Sequence, residues 1–396
     1  MPTAHRPRPA AGGTGTPSIA VVSTFAPTAC GIATFSAALA AALIEAGAEV
    51  DVVRCEPSPP DDDARVVASL SDPTDEGRRA AVAALDAHDV VLVQHEYGIY
   101  DGTDGESIVE LLEAVRAPVV VVAHTVLSSP LPNQRRVLEA VCAAADAVVV
   151  MTETARDRLR DGYDVDLGAV RVIPHGAATA PGGAPGATPS PEDGAAASGR
   201  RPRLLTWGLL GPGKGIEWAI DALALLGDLD PMPEYLVAGA THPKVLERDG
   251  EAYRDLLVAR AERAGVEVTF DDAYRDLEAL DDLIATADVV VLPYDSRDQV
   301  TSGVLVDAVA AGRPVVSTAF PHAVELLTGG AGLVVDQRDA GALAAAMRAM
   351  LTDPGLAAST AAEARRLAPE LAWGAVARRH LELVDEVVAG RGRAAS

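Results

Sequence analysis

TWGLLGPGKGIEWAIDAL, residues 206–223, has the pattern of a buried strand, a glycine-rich turn and the start of a helix. The turn contains Gly208, Gly211, Gly213, Lys214 and Gly215. Glycines let the backbone approach a ligand closely, and a lysine beside the positive end of a helix adds a cation, so the segment suits a diphosphate. The spacing is not the Walker pattern, because glycine and isoleucine follow the lysine where a serine or threonine would hold magnesium. An ordinary glycine-rich turn with a solvated lysine is the alternative interpretation.

The same strand-turn-helix pattern repeats along the whole chain, in two series. The first series predicts the strands SIAVVSTF, AEVDVV, DVVLVQHE, APVVVVAHT, AVVVMT and VRVIPHG. The second predicts RLLTWGLL, EYLVAGA, VEVTFDD, DVVVLPYD, RPVVSTA and AGLVVD. Continuous apolar runs alternating with helices are typical of parallel sheets that are covered on both faces. The sequence therefore predicts an α/β fold of two Rossmann-like parallel-sheet domains facing across a cleft, with ligands beyond the carboxyl ends of the strands.

Composition and pattern together divide the chain into five parts. The sequence predicts a disordered lead at 1–17, a first domain at 18–176, a linker or insertion at 177–202, a second domain at 203–370 and a C-terminal helix at 371–390. The linker is almost wholly Ala, Gly, Pro and Ser, which bury too little apolar surface to pack. We expect the last helix to cross back onto the first domain.

The charge balance limits the kinds of partner. The chain carries 57 acidic and 33 basic residues, a formal net charge of −24. Such a surface repels phosphate backbones, so we expect no nucleic acid partner. Apolar runs are too short for a transmembrane helix and the N-terminus lacks a signal core, so the prediction is a cytoplasmic protein, with peripheral membrane contact left open. Three scattered cysteines favour neither a disulfide framework nor a metal site.

A second motif extends the pattern of the first. Pro293 ends a strand, a polar loop reaches Ser302 and Gly303, and a helix carries Asp307 before Gly312 ends it. The order G-x5-K-G, strand-Pro, small-residue loop and acidic-A-x-A-x-G-x-P-V-V resembles the donor domain of retaining GT-B glycosyltransferases of family 4, the glycosyl transferases group 1. The resemblance extends over about 18–390.

In that family, the second Glu of a Glu-x7-Glu motif binds the nucleotide ribose, and the loop N–H groups hold the diphosphate. The matching positions here are Gln299 and Asp307, and both differ from the usual residue. A family arginine is replaced by Leu209, so Lys214 supplies the charge, with Arg297 or Arg313 as further candidates. The donor-site residues that the resemblance implies are Gly31, Gly208, Gly213, Lys214, Tyr274, Gln299, Ser302, Gly303 and Asp307. Tyr274 is placed near the base.

The resemblance implies three catalytic residues, His124, Lys214 and Glu325. VVVAHT resembles the strand end whose histidine contacts the transferred sugar, and TACGIATFSAALA resembles the glycine loop of the N-terminal, acceptor domain. QHEYGIYDG at 94–102 follows another strand of the same sheet. Its polar and aromatic groups suit sugar recognition, and the acceptor-facing candidates are Gln94, His95, Glu96 and Tyr97. His95 and Glu96 could in principle bind a metal ion, but adjacent residues of a strand point to opposite faces. We therefore expect no protein-bound metal.

The predicted activity is hexose transfer from a nucleoside diphosphate sugar, of the GDP-mannose or UDP-glucose type, to a glycan or glycolipid acceptor with retention of configuration. No permanently bound cofactor is expected. A nicotinamide dehydrogenase is disfavoured, because the first turn lacks G-x-G-x-x-G. A sugar-phosphate epimerase, a phosphorylase and a non-catalytic sugar-binding protein stay open as alternatives.

Overall fold

A computed structural model of the chain describes residues 16–57, 59, 63–72, 74–178, 200–273, 275 and 277–394. The chain divides into two compact units. One combines the residues up to Pro174 with those from Trp373 onward, and the other is His175–Ala372. Most of the predicted lead and linker lies outside the described residues.

The first unit contains a sheet of seven parallel strands. They are β1 (Ser18–Ser23), β2 (Glu49–Arg54), β3 (Val66–Ser69), β4 (Val90–His95), β5 (Val119–Ala123), β6 (Ala147–Val150) and β7 (Val170–Val172). Their order across the sheet is β3-β2-β1-β4-β5-β6-β7. The short edge strand β3 was not among the predicted strands.

The helices of the first unit connect these strands and cover the sheet. They are α1 (Gly31–Glu45), α2 (Asp75–Leu85), α3 (Ser107–Ala114), α4 (Pro132–Ala144) and α5 (Glu153–Gly162). Alternate residues of β1 enter different apolar clusters: Ile19 and Val21 lie in one, and Ala20 and Val22 in the other. Both faces of the strand are therefore buried, which explains its continuous apolar run.

The second unit repeats this plan with six parallel strands. They are β8 (Arg203–Trp207), β9 (Glu234–Ala238), β10 (Val268–Asp271), β11 (Val289–Leu292), β12 (Val315–Thr318) and β13 (Leu333–Val335), in the order β10-β9-β8-β11-β12-β13. Its helices are α6 (Ile216–Ala224), α7 (Pro243–Asp249), α8 (Ala252–Ala264), α9 (Leu277–Ala285), α10 (Gly303–Ala310), α11 (Pro321–Leu327), α12 (Ala340–Thr352) and α13 (Pro354–Leu371). The two sheets confirm the predicted α/β class with two Rossmann-like domains.

The final helix, α14 (Trp373–Ala394), belongs to the first unit. Four of its apolar residues, Val376, Ala377, Leu383 and Val384, are buried in the cluster that also holds Ile19 of β1. At its far end the Arg391 guanidinium donates to both carboxylate oxygens of Asp146, at 2.7 and 2.8 Å. The core of the first unit is thus built from two separate stretches of the chain.

Candidate functional site

The glycine-rich loop after β8 lies against the ends of the neighbouring strands. Gly208 has a φ of +108°, and its N–H donates to the Ala238 carbonyl at 3.0 Å. Gly215 has a φ of +63°, and a Cβ there would lie 1.9 Å from the Pro293 carbonyl oxygen. A side chain at 215 would therefore collide with the backbone that follows β11. The glycines of this turn are needed for the close backbone contacts inside the unit.

Lys214 is held at the start of α6 by an aromatic ring. Its Nζ lies 4.4 Å from the centroid of the Tyr294 ring, a cation–π contact. Tyr294 is 1% exposed and stacks on Phe320, with 5.0 Å between ring centroids. Within the described part of the chain, the Lys214 ammonium forms no ion pair with a carboxylate. It is a cation positioned by packing rather than by a counter-ion.

The loop after β11 leads to the start of α10. Ser302 caps this helix, and its hydroxyl oxygen accepts from the Leu305 N–H at 3.3 Å. The Ser302 N–H donates to Nδ1 of His322 at 2.9 Å. Gly303 begins the helix, and a Cβ at this position would lie 3.0 Å from Cε1 and Nε2 of His175. A buried imidazole, His322, and a half-buried one, His175, thus adjoin the N-terminus of α10.

The two positions of the predicted acidic pair differ in their surroundings. The Gln299 amide donates to the carbonyl of Thr301, so this side chain is engaged within its own loop. Asp307 lies on α10 and is half-buried, and its carboxylate makes no hydrogen bond or ion pair with any residue that the structure describes. Desolvation, together with the negative charge of Asp281, raises the pKa of Asp307 to about 7.

Three other predicted residues of the second unit, Glu325, Tyr274 and Arg313, are not part of the loops after β8 and β11. Glu325 lies on α11 and is exposed. Tyr274 lies outside the described residues, so its placement near a base stays a prediction. Arg313 is buried beside the amino end of β12, where its guanidinium donates to the Ala287 carbonyl at 3.1 Å. Arg313 therefore lies at the opposite end of the strand from the loops after β8 and β11.

In the first unit, the loop before α1 is fixed by an ion pair between a buried arginine and a half-buried glutamate. Arg54 is 1% exposed, lies 2.7 Å from the Glu56 carboxylate and donates to the Ala26 carbonyl at 2.8 Å. Glu56 also accepts from the hydroxyl of Thr28 at 2.6 Å. Gly31 follows this loop as the first residue of α1, and nothing lies within 4 Å of the position of a Cβ there. The backbone at Gly31 is thus open on the side where a side chain would be.

His124 follows β5 and is oriented by a neighbouring strand. Its Nε2 lies 2.7 Å from Oε1 of Gln94, and its ring meets Phe35 edge to face at 4.8 Å between centroids. Because an amide oxygen only accepts, Nε2 is the protonated nitrogen and Nδ1 carries the lone pair. Gln94 itself is fully buried. The pair places an imidazole of defined tautomer at the carboxyl end of the sheet.

The other acceptor candidates surround this end of β4. His95 is fully buried, neither ring nitrogen has a hydrogen-bond partner in the described ranges, and burial lowers its pKa to about 4. Glu96 accepts from the hydroxyl of Thr125. The Tyr97 hydroxyl donates to the Gln134 carbonyl at 3.3 Å. Their contact with an acceptor stays a prediction.

The structure therefore assembles two groups of candidates, one in each unit. The first unit gathers Gly31, Gln94, His95, Glu96, Tyr97 and His124 around the ends of β1, β4 and β5. The second gathers Gly208, Gly213, Lys214, Gln299, Ser302, Gly303 and Asp307 around the ends of β8 and β11. Sequence reasoning missed Tyr294, His175 and His322. The signal for Tyr294 was its place directly after the strand-ending proline, within DVVVLPYD.

The described residues contain neither a metal cluster nor a membrane-spanning helix. No group of three or more His, Cys, Asp or Glu side chains among them could hold a metal ion. None of the helices in these ranges combines the length and apolar character needed to cross a bilayer.

Two family descriptions match this chain, one for each half. Residues 29–180 match "Glycosyltransferase Family 4", and residues 201–353 match "Glycosyl transferases group 1". Between them the two matches include every candidate residue of both groups.

Curated relatives from two bacteria carry the name D-inositol 3-phosphate glycosyltransferase. The protein of Kineococcus radiotolerans is 29% identical over 280 residues, which cover 63% of this chain and 59% of the relative. The protein of Salinispora arenicola is 30% identical over 306 residues, covering 69% and 65%. The chain thus spans about three fifths of the length of these relatives.

Solved structures share the fold at low sequence identity. Anabaena HepE, in complex with UDP and glucose, has a TM-score of 0.71 at 18% identity, covering 93% of this chain and 100% of HepE. Sucrose-phosphate synthase from Thermosynechococcus elongatus has a TM-score of 0.71 at 21% identity, covering 94% and 100%.

Proposed function

Because the chain belongs to the group 1 glycosyltransferases of family 4, with a GT-B fold, we propose that it transfers a hexose from a nucleoside diphosphate sugar to a hydroxyl group, with retention of configuration. The observation that carries this proposal is Lys214, held over Tyr294 at the start of α6. A cation beside a helix N-terminus is a suitable partner for a diphosphate. HepE, which shares the fold, was solved with UDP and glucose, and this supports a nucleotide sugar as the donor.

Asp307 is proposed to hold the ribose. Its carboxylate makes no hydrogen bond with the residues described, and two carboxylate oxygens can accept from two hydroxyl groups. Burial makes the ionised form costly, as the pKa of about 7 indicates. Hydrogen bonds from ribose hydroxyls would stabilise that form, so binding favours the ionised carboxylate.

His124 is proposed to contact the transferred hexose. The hydrogen bond between Nε2 and Gln94 fixes the orientation of the imidazole at the carboxyl end of the sheet, where the family resemblance places a histidine that contacts the sugar. We propose that the acceptor is contacted by the group at the end of β4, which consists of Gln94, His95, Glu96 and Tyr97. Glu325 is kept as a candidate for contact with the donor sugar.

The chemistry proposed is departure of the diphosphate with electrostatic support, without a protein nucleophile. Lys214 and the N-terminal ends of α6 and α10 would stabilise the negative charge that develops on the leaving group. Hydrogen-bond donors and cations that are fixed before the reaction need no reorganisation during it, which is the source of the rate gain.

A thermal-shift titration tests the donor. The protein is titrated with GDP, UDP, ADP and their sugar conjugates, alongside the variants Lys214→Ala and Arg263→Ala. Arg263 is an exposed cation on α8 of the same unit and serves as the charge-matched control. We expect one nucleotide to raise the unfolding temperature of the wild type and of Arg263→Ala, and Lys214→Ala to lose the shift, because a ligand that binds the native state stabilises it.

The opposite result would identify a different function. If no nucleotide shifts the wild type while inorganic phosphate or free sugars do, the phosphorylase or sugar-binding alternatives replace this proposal. Transfer itself is assayed with the donor that binds, using inositol phosphate, glycan and glycolipid hydroxyls as acceptors. Inositol phosphate comes first because the curated relatives carry it in their name. The anomeric configuration of the product, read by NMR, tests retention.

A further inference from the structure

The Ser302 N–H, at the N-terminus of α10, is already engaged inside the protein. It donates to Nδ1 of His322 at 2.9 Å. At a helix N-terminus the first N–H groups lack partners within the helix and are available to an anion. Here the N–H of Ser302, the residue that caps α10, is hydrogen-bonded to the His322 imidazole and is not available to an anion.

This hydrogen bond fixes the tautomer of His322. A backbone N–H can only donate, so Nδ1 must carry the lone pair and the ring proton must be on Nε2. Burial and the nearby His175 lower the pKa of His322 to about 3, so the ring is neutral at physiological pH. His322 therefore presents one N–H donor, at Nε2, whenever the protein is folded.

The Nε2 donor has no partner in the ranges that the structure describes, although the His322 residue is only 5% exposed. His322 lies in the first turn of α11, close after Phe320, which stacks on the Tyr294 ring beneath the Lys214 ammonium. Contacts thus join the lysine to Phe320 through Tyr294, and His322, two residues further along the chain, to the start of α10. Nε2 of His322 is also not among the fully buried side-chain atoms that lack a hydrogen-bond partner in the described ranges, so this donor is not closed off from solvent or a ligand.

We propose that His322 is a phosphate-contacting residue of the donor site, which takes over the donor role of the Ser302 N–H and presents it at Nε2 to an oxygen of a nucleoside diphosphate. This inference rests on the proposed function of the same site. The imidazole replaces a backbone donor by a side-chain donor on the far side of the ring, and the ring stays neutral. The charge on the diphosphate is then left to Lys214 and to the other cationic candidate, Arg297 of the loop after β11.

Two amide substitutions separate this role from a structural one. Asn at 322 can place its Oδ1 near the position of Nδ1 and accept from the Ser302 N–H, but it has no donor where Nε2 was. Gln can place its Nε2 donor near the lost ring nitrogen, but it has no acceptor near Nδ1. The dissociation constants of UDP, GDP and inorganic pyrophosphate are measured by calorimetry for the wild type, His322→Asn and His322→Gln, with thermal unfolding of each ligand-free protein.

We expect His322→Asn to weaken binding of pyrophosphate and of the preferred nucleotide roughly tenfold or more relative to His322→Gln, because a hydrogen bond to a charged group is lost. Unfolding temperatures should run the other way, with Asn closer to the wild type. If Asn binds as tightly as Gln or more tightly, His322 acts only through Ser302 and the inference is overturned. If one variant fails to fold, the other is compared with the wild type alone. His322→Asn must then bind pyrophosphate more weakly than the wild type, or His322→Gln must bind it within a few fold of the wild type; the other outcome in either case overturns the inference.

A failure of the proposed function would be distinguishable from a failure of this inference. If the wild type binds neither pyrophosphate nor any nucleoside diphosphate, the donor site itself is wrong. If the wild type binds UDP or GDP and Lys214→Ala weakens that binding while His322→Asn does not, the donor site stands and only the role of His322 is overturned.

Discussion

Replacing Asp307 by asparagine should stabilise the protein at pH 8 more than at pH 5. Desolvation and the neighbouring Asp281 raise the pKa of Asp307 from 3.8 to about 7. A group whose folded pKa is raised contributes stability that is fully present below the unfolded pKa and is lost as the pH rises through the folded pKa. Asparagine has the same shape and cannot ionise, so the variant escapes this loss.

The magnitude follows from the displacement of the pKa. A shift from 3.8 to about 7 is about three units, and at about 1.4 kcal/mol per unit the upper limit is about 4 kcal/mol. Roughly two thirds of that loss builds up between pH 5 and pH 8. The carboxyl is half-buried, and solvent screening reduces the gain for the variant to about 1–2 kcal/mol. For a unit of this size, that corresponds to a rise of about 2–8 °C in the unfolding temperature.

The assay is thermal unfolding of the ligand-free protein at pH 5 and pH 8, followed by circular dichroism. Glu262→Gln serves as the control, since it removes one negative charge from an exposed position on α8 of the same unit. Its difference from the wild type should change little between the two pH values. A difference for Asp307→Asn that is equally independent of pH, or a variant less stable at pH 8 than the wild type, would refute the reasoning.

Three further predictions concern binding and stability. Nucleotide affinity of the wild type should rise as the pH increases through 7, and that of Asp307→Asn should stay flatter by calorimetry, because ribose hydroxyls donate to the ionised carboxylate. Gly215→Ala should destabilise the protein by about 2–4 kcal/mol in urea unfolding, since its Cβ would lie 1.9 Å from a carbonyl oxygen; Gly31→Ala, with nothing within 4 Å, should cost less than about 1 kcal/mol. Arg54→Met should cost about 2–4 kcal/mol, because it leaves the half-buried Glu56 carboxylate without the buried guanidinium. The same change at the exposed Arg366 should cost less than about 1 kcal/mol, and equal losses at the two arginines would contradict the argument.

The sheets could be predicted from the sequence because their strands are buried on both faces. VVVVA of β5 is buried at every position, and such a run has few alternatives once helical segments flank it. The exception is β3, whose residues VVAS are half-buried or exposed at the sheet edge and follow a stretch rich in Asp and Pro. A strand of four residues with little burial leaves no periodic signal.

The candidate site was less predictable, since its contacts join residues far apart in the sequence. The resemblance pointed to Lys214, Ser302 and Asp307, because motif spacing is local. The bond from Ser302 to His322 joins residues 20 apart, and the pair of His124 with Gln94 joins residues 30 apart. The pKa of Asp307 depends on burial and on a carboxylate of another helix. Contacts of this kind depend on how elements pack, and no local pattern records them.

The last helix, α14, has a consequence for how the protein is made. Its residues from Trp373 onward complete the core of the first unit, but they leave the ribosome after the whole of His175–Ala372. The first unit is begun early and closed late, whereas the second has all of its strands and helices while α14 is still being translated. Domains that are continuous in sequence fold in the order of their synthesis. In this chain the order is reversed, because the second unit can complete its fold first. The apolar surface of β1 and α1 stays uncovered until α14 has been translated.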